Sequence, residues 1–442
     1  MHSGTTEPSF SLSRYLQQVE RVETMPASGR VIRTVGLLIE SQGPRVSVGA
    51  TCDVIGRNGH ASLTVQVVGF RDGVVLAVPL GDTVGIQPGD RIVARGRALD
   101  IGVGPQLLGR VVDALGNPLD GLGPLQTTAT YPIHPPPLNP MDRDPVVAPL
   151  PSGVRAMDAL LTCGRGQRIG LFGGSGVGKS TLLGMLTRGT AADVIVVGLV
   201  GERGREVRGF IEHDLGPEGM KRAVVVASTS DNPPLLRLRA AYTATSIAEY
   251  FRDQGLNVLL LMDSVTRFAM AQREVGLAAG EPPTTKGYPP SVFALLPTLL
   301  ERAGAVRGRG SITAMYTVLV DGDDHNEPIA DAVRSILDGH VVLSRALASQ
   351  YHYPPIDVLQ SVSRTMPDVT GVAHRQRAAQ VREWMATIRD TEDLVSVGAY
   401  VPGSNPKIDA ARAKGDAIRA FLCQDADTLC GFPDALTALE AL

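Results

Sequence analysis

The chain has 442 residues, 20% of them charged, and a formal net charge of −3. That balance excludes a disordered acidic chain and a basic nucleic-acid coat, and 4% aromatics leave little material for stacking single-stranded nucleic acid. The 49 glycines and 31 prolines follow no collagen period, so they mark turns and close backbone approaches in a folded protein of two or three domains.

Leu12, Tyr15, Leu16, Val19 and Val22 recur at helical spacing, with Arg14, Gln17, Glu20 and Arg21 opposite. This predicts a short amphipathic helix in an N-terminal segment, residues 1–27, that ends at the breaker Met25-Pro26. Its net charge is not basic, so a protein contact is expected rather than a lipid one; the plainer alternative is a helix docked on its own domain. The first thirty residues hold no apolar run of signal-peptide length, and no run approaches the ~20 residues of a membrane span. Any membrane contact is therefore expected to be peripheral. Cys52, Cys163, Cys423 and Cys430 form no C-x-x-C and no zinc-spaced cluster, which predicts reduced thiols in a cytosolic protein; a Cys423–Cys430 disulfide is the disfavoured alternative.

Over residues 28–99, short alternating segments at 31–39, 61–70, 74–78 and 90–94 are separated by glycine-containing turns. This is the pattern of a small closed β-barrel. Residues 131–154 are rich in proline and form either a linker or an extended segment packed on one domain. Strand–helix alternation follows. Apolar strands are expected at 167–172, 194–200, 223–227, 257–262 and Ser311–Leu319, with helical stretches at 180–186, 235–251 and 291–301 between them. Residues 100–368 thus read as a parallel α/β sheet with helices on both faces. The remainder, 369–442, reads as an acidic helical domain.

Gly173-Gly174-Ser175-Gly176-Val177-Gly178-Lys179-Ser180 matches G-x-x-x-x-G-K-[ST] between a predicted strand and a predicted helix. Its glycines let backbone N–H groups turn onto phosphate oxygens, and the helix N-terminus adds a favourable dipole. Lys179 is expected on the β- and γ-phosphates and Ser180 on Mg²⁺. Asp263 ends an apolar strand, where α/β sheets bind ligands, and reads as a second holder of Mg²⁺; the alternative is a helix N-cap. Glu202 ends another strand, 23 residues beyond Lys179, and could polarise an attacking water, with Arg203 on the γ-phosphate. The run Gly201-Glu202-Arg203-Gly204-Arg205-Glu206 is equally compatible with a salt-bridged surface loop. Asp321, Asp323 and Asp324 lack EF-hand spacing and read as a solvated turn. Arg307-Gly308-Arg309-Gly310 reads as a flexible loop, and His340 and His352 read as packing residues.

Several strings together resemble one family: residues 173–181, which add Thr181 to the phosphate loop, residues 201–206, Asp263-Ser264-Val265-Thr266-Arg267-Phe268, residues 272–283, Ile336-Leu337-Asp338-Gly339-His340, and residues 352–364. The chain is similar over residues 102–368 to the ATPases of type III protein secretion and flagellar export, relatives of the rotary ATP synthase catalytic subunit. The resemblance implies an N-terminal barrel used in oligomerisation, a central ATPase domain and a C-terminal helical domain. It implies that Glu202 activates water, that Arg203 contacts the γ-phosphate and that Tyr353 packs on adenine. It implies that Arg364, ending Ser361-Val362-Ser363-Arg364, enters the neighbouring subunit's site. The implied cofactors are ATP and Mg²⁺, and the implied assembly is a homohexamer at the cytoplasmic face of the inner membrane. A stator-like protein at the N-terminus, a central stalk, chaperone–substrate complexes and the export gate are its implied partners; nucleic acid is not among them. Chaperone release and substrate unfolding would be its work. Asn326-Glu327-Pro328 leans toward the injectisome branch, with the flagellar branch as the alternative. A rotary synthase subunit is disfavoured by residues 272–283 and 336–340, a non-catalytic subunit by Glu202, and an RNA translocase by the neutral, aromatic-poor residues 31–99.

Overall fold

A computed structural model describes residues 26–56, 61–95, 100–320, 324 and 327–442. The expected N-terminal helix, Asp321, Asp323 and Asn326 lie outside the described residues. The chain divides into two compact units, Met1–Leu99 and Asp100–Leu442.

The first unit is a closed antiparallel barrel of β1 (Ser28–Val35), β2 (Leu38–Gln42), β3 (Thr51–Ile55), β4 (Ala61–Arg71), β5 (Val74–Pro79) and β6 (Arg91–Ala94), in the order β1-β2-β5-β4-β3-β6. Alternate residues such as Cys52 and Val54, Val65 and Val67, and Val75 and Ala77 fill one buried core. The segment read as one strand over 31–39 is two, because the chain reverses at Gly36, whose φ of 57° suits a residue without Cβ. Asp72 and Gly73 both have positive φ, and make the tight turn between β4 and β5. Strand β3 escaped the sequence reading because only Cys52 and Val54 of its five residues carry the inward pattern strongly. All four cysteines are free, and burial pushes the Cys52 thiol up to about 11, which leaves it unreactive.

In the second unit, β7 (Ile101–Val103) and β9 (Ala129–Tyr131) form a two-stranded ribbon. The main sheet comprises β8 (Val111–Val112), β10 (Arg168–Gly173), β11 (Val194–Glu202), β12 (Ala223–Thr229), β13 (Asn257–Asp263), β14 (Gly304–Ala305), β15 (Ser311–Leu319), β16 (Gly339–Leu343) and β17 (Ile356–Ser363). Its order is β17-β16-β10-β15-β13-β11-β12-β8, with β14 paired to β15. The strands from β16 to β8 are parallel, whereas β17 runs antiparallel at the edge. The central strands are apolar and buried on both faces, so the sequence showed them clearly. Strand β17 alternates buried and exposed residues and carries Asp357 and Gln360, which hid it.

The proline-rich segment is packed rather than a free linker. Ile133 and Leu150 are buried, the Arg302 guanidinium donates to the Ile133 carbonyl at 2.8 Å, and Arg143 donates to the Ala303 carbonyl at 2.9 Å. The helices Val372–Ser396, Pro406–Leu422 and Phe432–Ala441 share one apolar core with the helix Arg155–Leu160 and the sheet, through Val381, Phe421, Leu439, Met157 and Leu160.

In residues 304–310, Gly304 and Gly310 are closely packed while Gly308 faces open space, which corrects the reading of this run as a flexible loop at its two ends. Arg309 pairs with Asp253 at 3.0 Å, and a Cβ at Gly310 would overlap the Leu256 carbonyl oxygen. Gly310→Ala should therefore cost roughly 2–3 kcal/mol of stability, the scale of an overpacked core. Chemical denaturation checks this, and a cost near zero would restore the loose-loop reading.

Candidate active site

Three strand tips converge on one cleft. Strands β10, β13 and β11 end at Gly173, Asp263 and Glu202, at the same end of the sheet. The chain then turns through Gly176 (φ 78°) and Gly178 (φ 99°) into the helix Lys179–Gly189. These left-handed backbones, followed directly by a helix start, form the phosphate cradle expected from the spacing. The cleft has a volume of about 530 Å³ and is lined by the loop, Lys179, Ser180, Thr181, Glu202, Arg203 and Asp263.

Asp263 is 5% exposed, and Lys179 Nζ donates to its Oδ1 at 2.6 Å. Thr317 of β15 donates to the same oxygen at 2.7 Å. Thr317 had no sequence signal, because a threonine inside a β-strand is ordinary packing. The N-cap alternative for Asp263 does not hold: Ser264 caps the following helix by accepting the Arg267 N–H at 3.2 Å, which leaves the Asp263 carboxylate to the cleft.

Glu202 is turned inward by a bulge. The register of β11 against β12 slips between Val200 and Glu202, and Gly201 there has φ 72°. Glu202 Oε1 is buried, and among the described residues it has no hydrogen-bond partner. Burial and then the Asp263 carboxylate push the Glu202 carboxyl up to about 7; Glu206 adds to this, and Lys179 opposes it. A carboxyl with one buried, unpartnered oxygen and a raised pKa beside a phosphate cradle is poised to take a proton near neutrality. Arg203 shows the other face of the same loop: its side chain is 75% exposed and pairs with Glu206 at 3.1 Å. The surface-loop reading therefore holds for Arg203 and Glu206, but not for Glu202.

A methyl group at Gly201 would sit 3.0 Å from Arg267 Cβ, on a backbone that L-residues rarely adopt. Gly201→Ala should therefore move Glu202 and cut turnover by about 10²-fold, with nucleotide affinity little changed, as misplacement by about 1 Å does elsewhere. Turnover at saturating nucleotide, measured beside direct binding, checks it.

Tyr353 lies at the edge of the cradle, its Cε1 3.6 Å from where a Gly178 Cβ would stand. The residue is 43% exposed, in a bend of the chain. Arg364 is absent from the cleft. Strand β17 runs against the parallel strands, and Ser363 pairs with Gly339 at the opposite end of the sheet from the loop. The Arg364 N–H donates to the Asp338 carbonyl at 3.0 Å and its guanidinium donates to the Leu337 carbonyl at 3.3 Å. Val207, Phe210, His213 and Asp214 also wall the cleft, from a helical turn and π-helical segment that the sequence reading did not include.

Residues 31–96 match the ATP synthase alpha/beta family β-barrel domain, residues 153–363 its nucleotide-binding domain, and residues 370–441 the type III secretion EscN ATPase C-terminal domain. The "Flagellum-specific ATP synthase" of Bacillus subtilis is 52% identical over 432 residues, covering 96% of this chain and 97% of that protein. The chain belongs to the type III secretion and flagellar export ATPase family. It is an ATPase that binds ATP. The "Type 3 secretion system ATPase" of Sinorhizobium fredii is 49% identical to this export ATPase, with 98% of this chain and 96% of that protein covered. The structure of the assembled ATPase EscN from enteropathogenic E. coli superimposes with a TM-score of 0.89 at 43% identity, covering 93% of this chain and 99% of that one. EscN has also been solved in complex with its central stalk EscO, and that structure matches with a TM-score of 0.86. These matches agree with the barrel, central sheet and helical C-terminus described above. No described helix is long and apolar enough to cross a membrane.

Proposed function

We propose that this ATPase energises protein export as a homohexamer at the cytoplasmic base of a secretion apparatus, releasing chaperones from substrates and unfolding them. The observation that supports it most is the buried, unpartnered Oε1 of Glu202 in the same cleft as Lys179 and Asp263. In this reading Lys179 exchanges Asp263 for phosphate oxygens, which would leave the Asp263 carboxylate free to hold Mg²⁺. The donor set fits Mg²⁺: a hydroxyl from Ser180 and a buried carboxylate from Asp263, both hard oxygen ligands beside a phosphate cradle. When bound, Mg²⁺ neutralises charge on the β- and γ-phosphates. The loop of residues 173–181 binds the phosphates through its backbone, Tyr353 packs on the base, and Arg203 swings from Glu206 to the γ-phosphate. Glu202 orients the water and takes its proton.

The barrel, residues 28–99, serves ring assembly, and residues 1–27 dock a stator-like protein. The EscN–EscO complex supports a central stalk for this ring too. The C-terminal helices, residues 369–442, face chaperone–substrate complexes and the export gate, at the inner face of the cytoplasmic membrane. The Asn-Glu-Pro string favours the injectisome, while relatives of both machines stand at 49–52% identity. An export assay in a Lys179→Ala strain tests the whole reading: export should fail while the protein still accumulates. Loss of secreted effectors with intact motility marks the injectisome, loss of filament assembly marks the flagellum, and unimpaired export by both machines overturns the function.

A further inference from the structure

The residues after the helix Pro406–Leu422 are fastened to the frame of the nucleotide cleft by more than apolar packing. Gln424 is 7% exposed, and both polar atoms of its side chain are used. Its Oε1 accepts the Arg155 N–H at 2.8 Å, and its Nε2 donates to the carbonyls of Gly153 at 2.8 Å and Thr428 at 2.7 Å. Its backbone N–H donates to the Tyr353 carbonyl at 2.9 Å. One residue of the C-terminal helical region thus holds the bend that carries Tyr353, just before β17, and the turn that opens the ATPase core.

Neighbouring contacts complete the tie. The Arg155 guanidinium donates to the carbonyls of Phe421, Ala420 and Cys423, the groups a helix C-terminus leaves unpaired, and lies 5.5 Å from the Phe421 ring. Arg188, in the last turn of the phosphate-loop helix, donates to the Ala426 carbonyl at 2.9 Å. Gly153 lies against the end of that helix: a Cβ there would sit 2.6 Å from Gly189 Cα. The phosphate end of the cleft is fixed independently, by the loop backbone, Lys179, Asp263 and Thr317.

We infer that Gln424 is a positioning residue: its side chain anchors its own backbone to Gly153 and Arg155, and that backbone N–H sets Tyr353 against the cradle, which couples the C-terminal helices to nucleotide affinity. The inference rests on the reading that Tyr353 packs on the base. Displacing the C-terminal helices then loosens the base end of the site and leaves the hydrolytic groups in place. The consequence is a change in KM rather than in kcat.

The test uses Gln424→Met, which keeps the buried volume and removes the polar side-chain contacts, in the assembled full-length protein. KM for MgATP should rise about tenfold, the scale of one or two buried hydrogen bonds, with kcat within about twofold. Affinity for magnesium tripolyphosphate, which has the phosphates and no base, should be unchanged. Gln424→Glu, which keeps the acceptor and loses the donor, is the second variant and should raise KM in the same direction. Tyr353→Ala should also weaken ATP binding, and adding Gln424→Met to it should weaken it no further. An unchanged KM in both Gln424 variants, beside weakened ATP binding in Tyr353→Ala, overturns this inference alone. Equal weakening of tripolyphosphate would show a general structural role and overturns it too. Unchanged ATP affinity in Tyr353→Ala overturns the base-packing reading, and this inference with it.

Discussion

Glu202→Gln should lower ATP turnover by about 10²- to 10⁴-fold, the range of a lost general base, while ATP binding survives. The amide has nearly the volume of the carboxyl, so the bulge at Gly201 and the cleft around it should persist. Its fold should also gain. A carboxyl whose pKa stands at about 7 in the folded chain, above the ordinary carboxylate value, costs stability progressively as pH rises toward 7. The amide has no proton to lose, so the variant's melting temperature should exceed the parent's at pH 8 and approach it below pH 5. The same raised pKa sets the acid limb of activity. The base works only when ionised, so kcat/KM of the parent should climb with pH through a midpoint near 7. Steady-state kinetics across pH and thermal melts of both proteins check these expectations together. Parental turnover in Glu202→Gln would end the assignment of Glu202 as base.

Why Glu202 was only half legible in the sequence is a matter of geometry. The spacing of glycines and Lys179 declares a phosphate cradle, because that chemistry is local and made by consecutive residues. The buried strands β11, β13 and β15 were equally plain, because apolar runs leave few other solutions. Glu202 and Asp263 are different. Each stands at a strand tip where a cap or a surface ion pair is ordinary, and the sheet order that places both beside Lys179 is not written locally. Thr317 arrives from a strand more than fifty residues after Asp263 and had no signal at all. Nor did Gln424: its partners, Tyr353, Arg155 and Gly153, are scattered over the chain and meet only through tertiary packing. The fold was legible where burial is continuous, and the site only where its chemistry is sequential.

Arg364→Ala should abolish turnover, by about 10³- to 10⁵-fold, although Arg364 touches nothing in its own subunit's cleft. Strand β10 has six residues from Arg168 to Gly173, about 17 Å from first to last at the rise of a parallel strand, and Arg364 lies at the end of the sheet remote from the cradle. No rotamer of one side chain spans that gap. Arg364 is exposed, and its guanidinium donates to the Leu337 carbonyl at 3.3 Å, a weak tether that leaves it free to serve a neighbour. If it serves in trans, two inactive variants should rescue each other. Mixing Arg364→Ala with Glu202→Gln in equal amounts pairs an intact cleft with an intact arginine at about one interface in four of a head-to-tail ring. Activity should therefore reappear on mixing and fall again when either variant is in excess. Dilution should lower activity per chain as the ring comes apart. Mixtures that stay inactive at every ratio, with rings intact by light scattering, would place the action of Arg364 within its own subunit or remove it from catalysis.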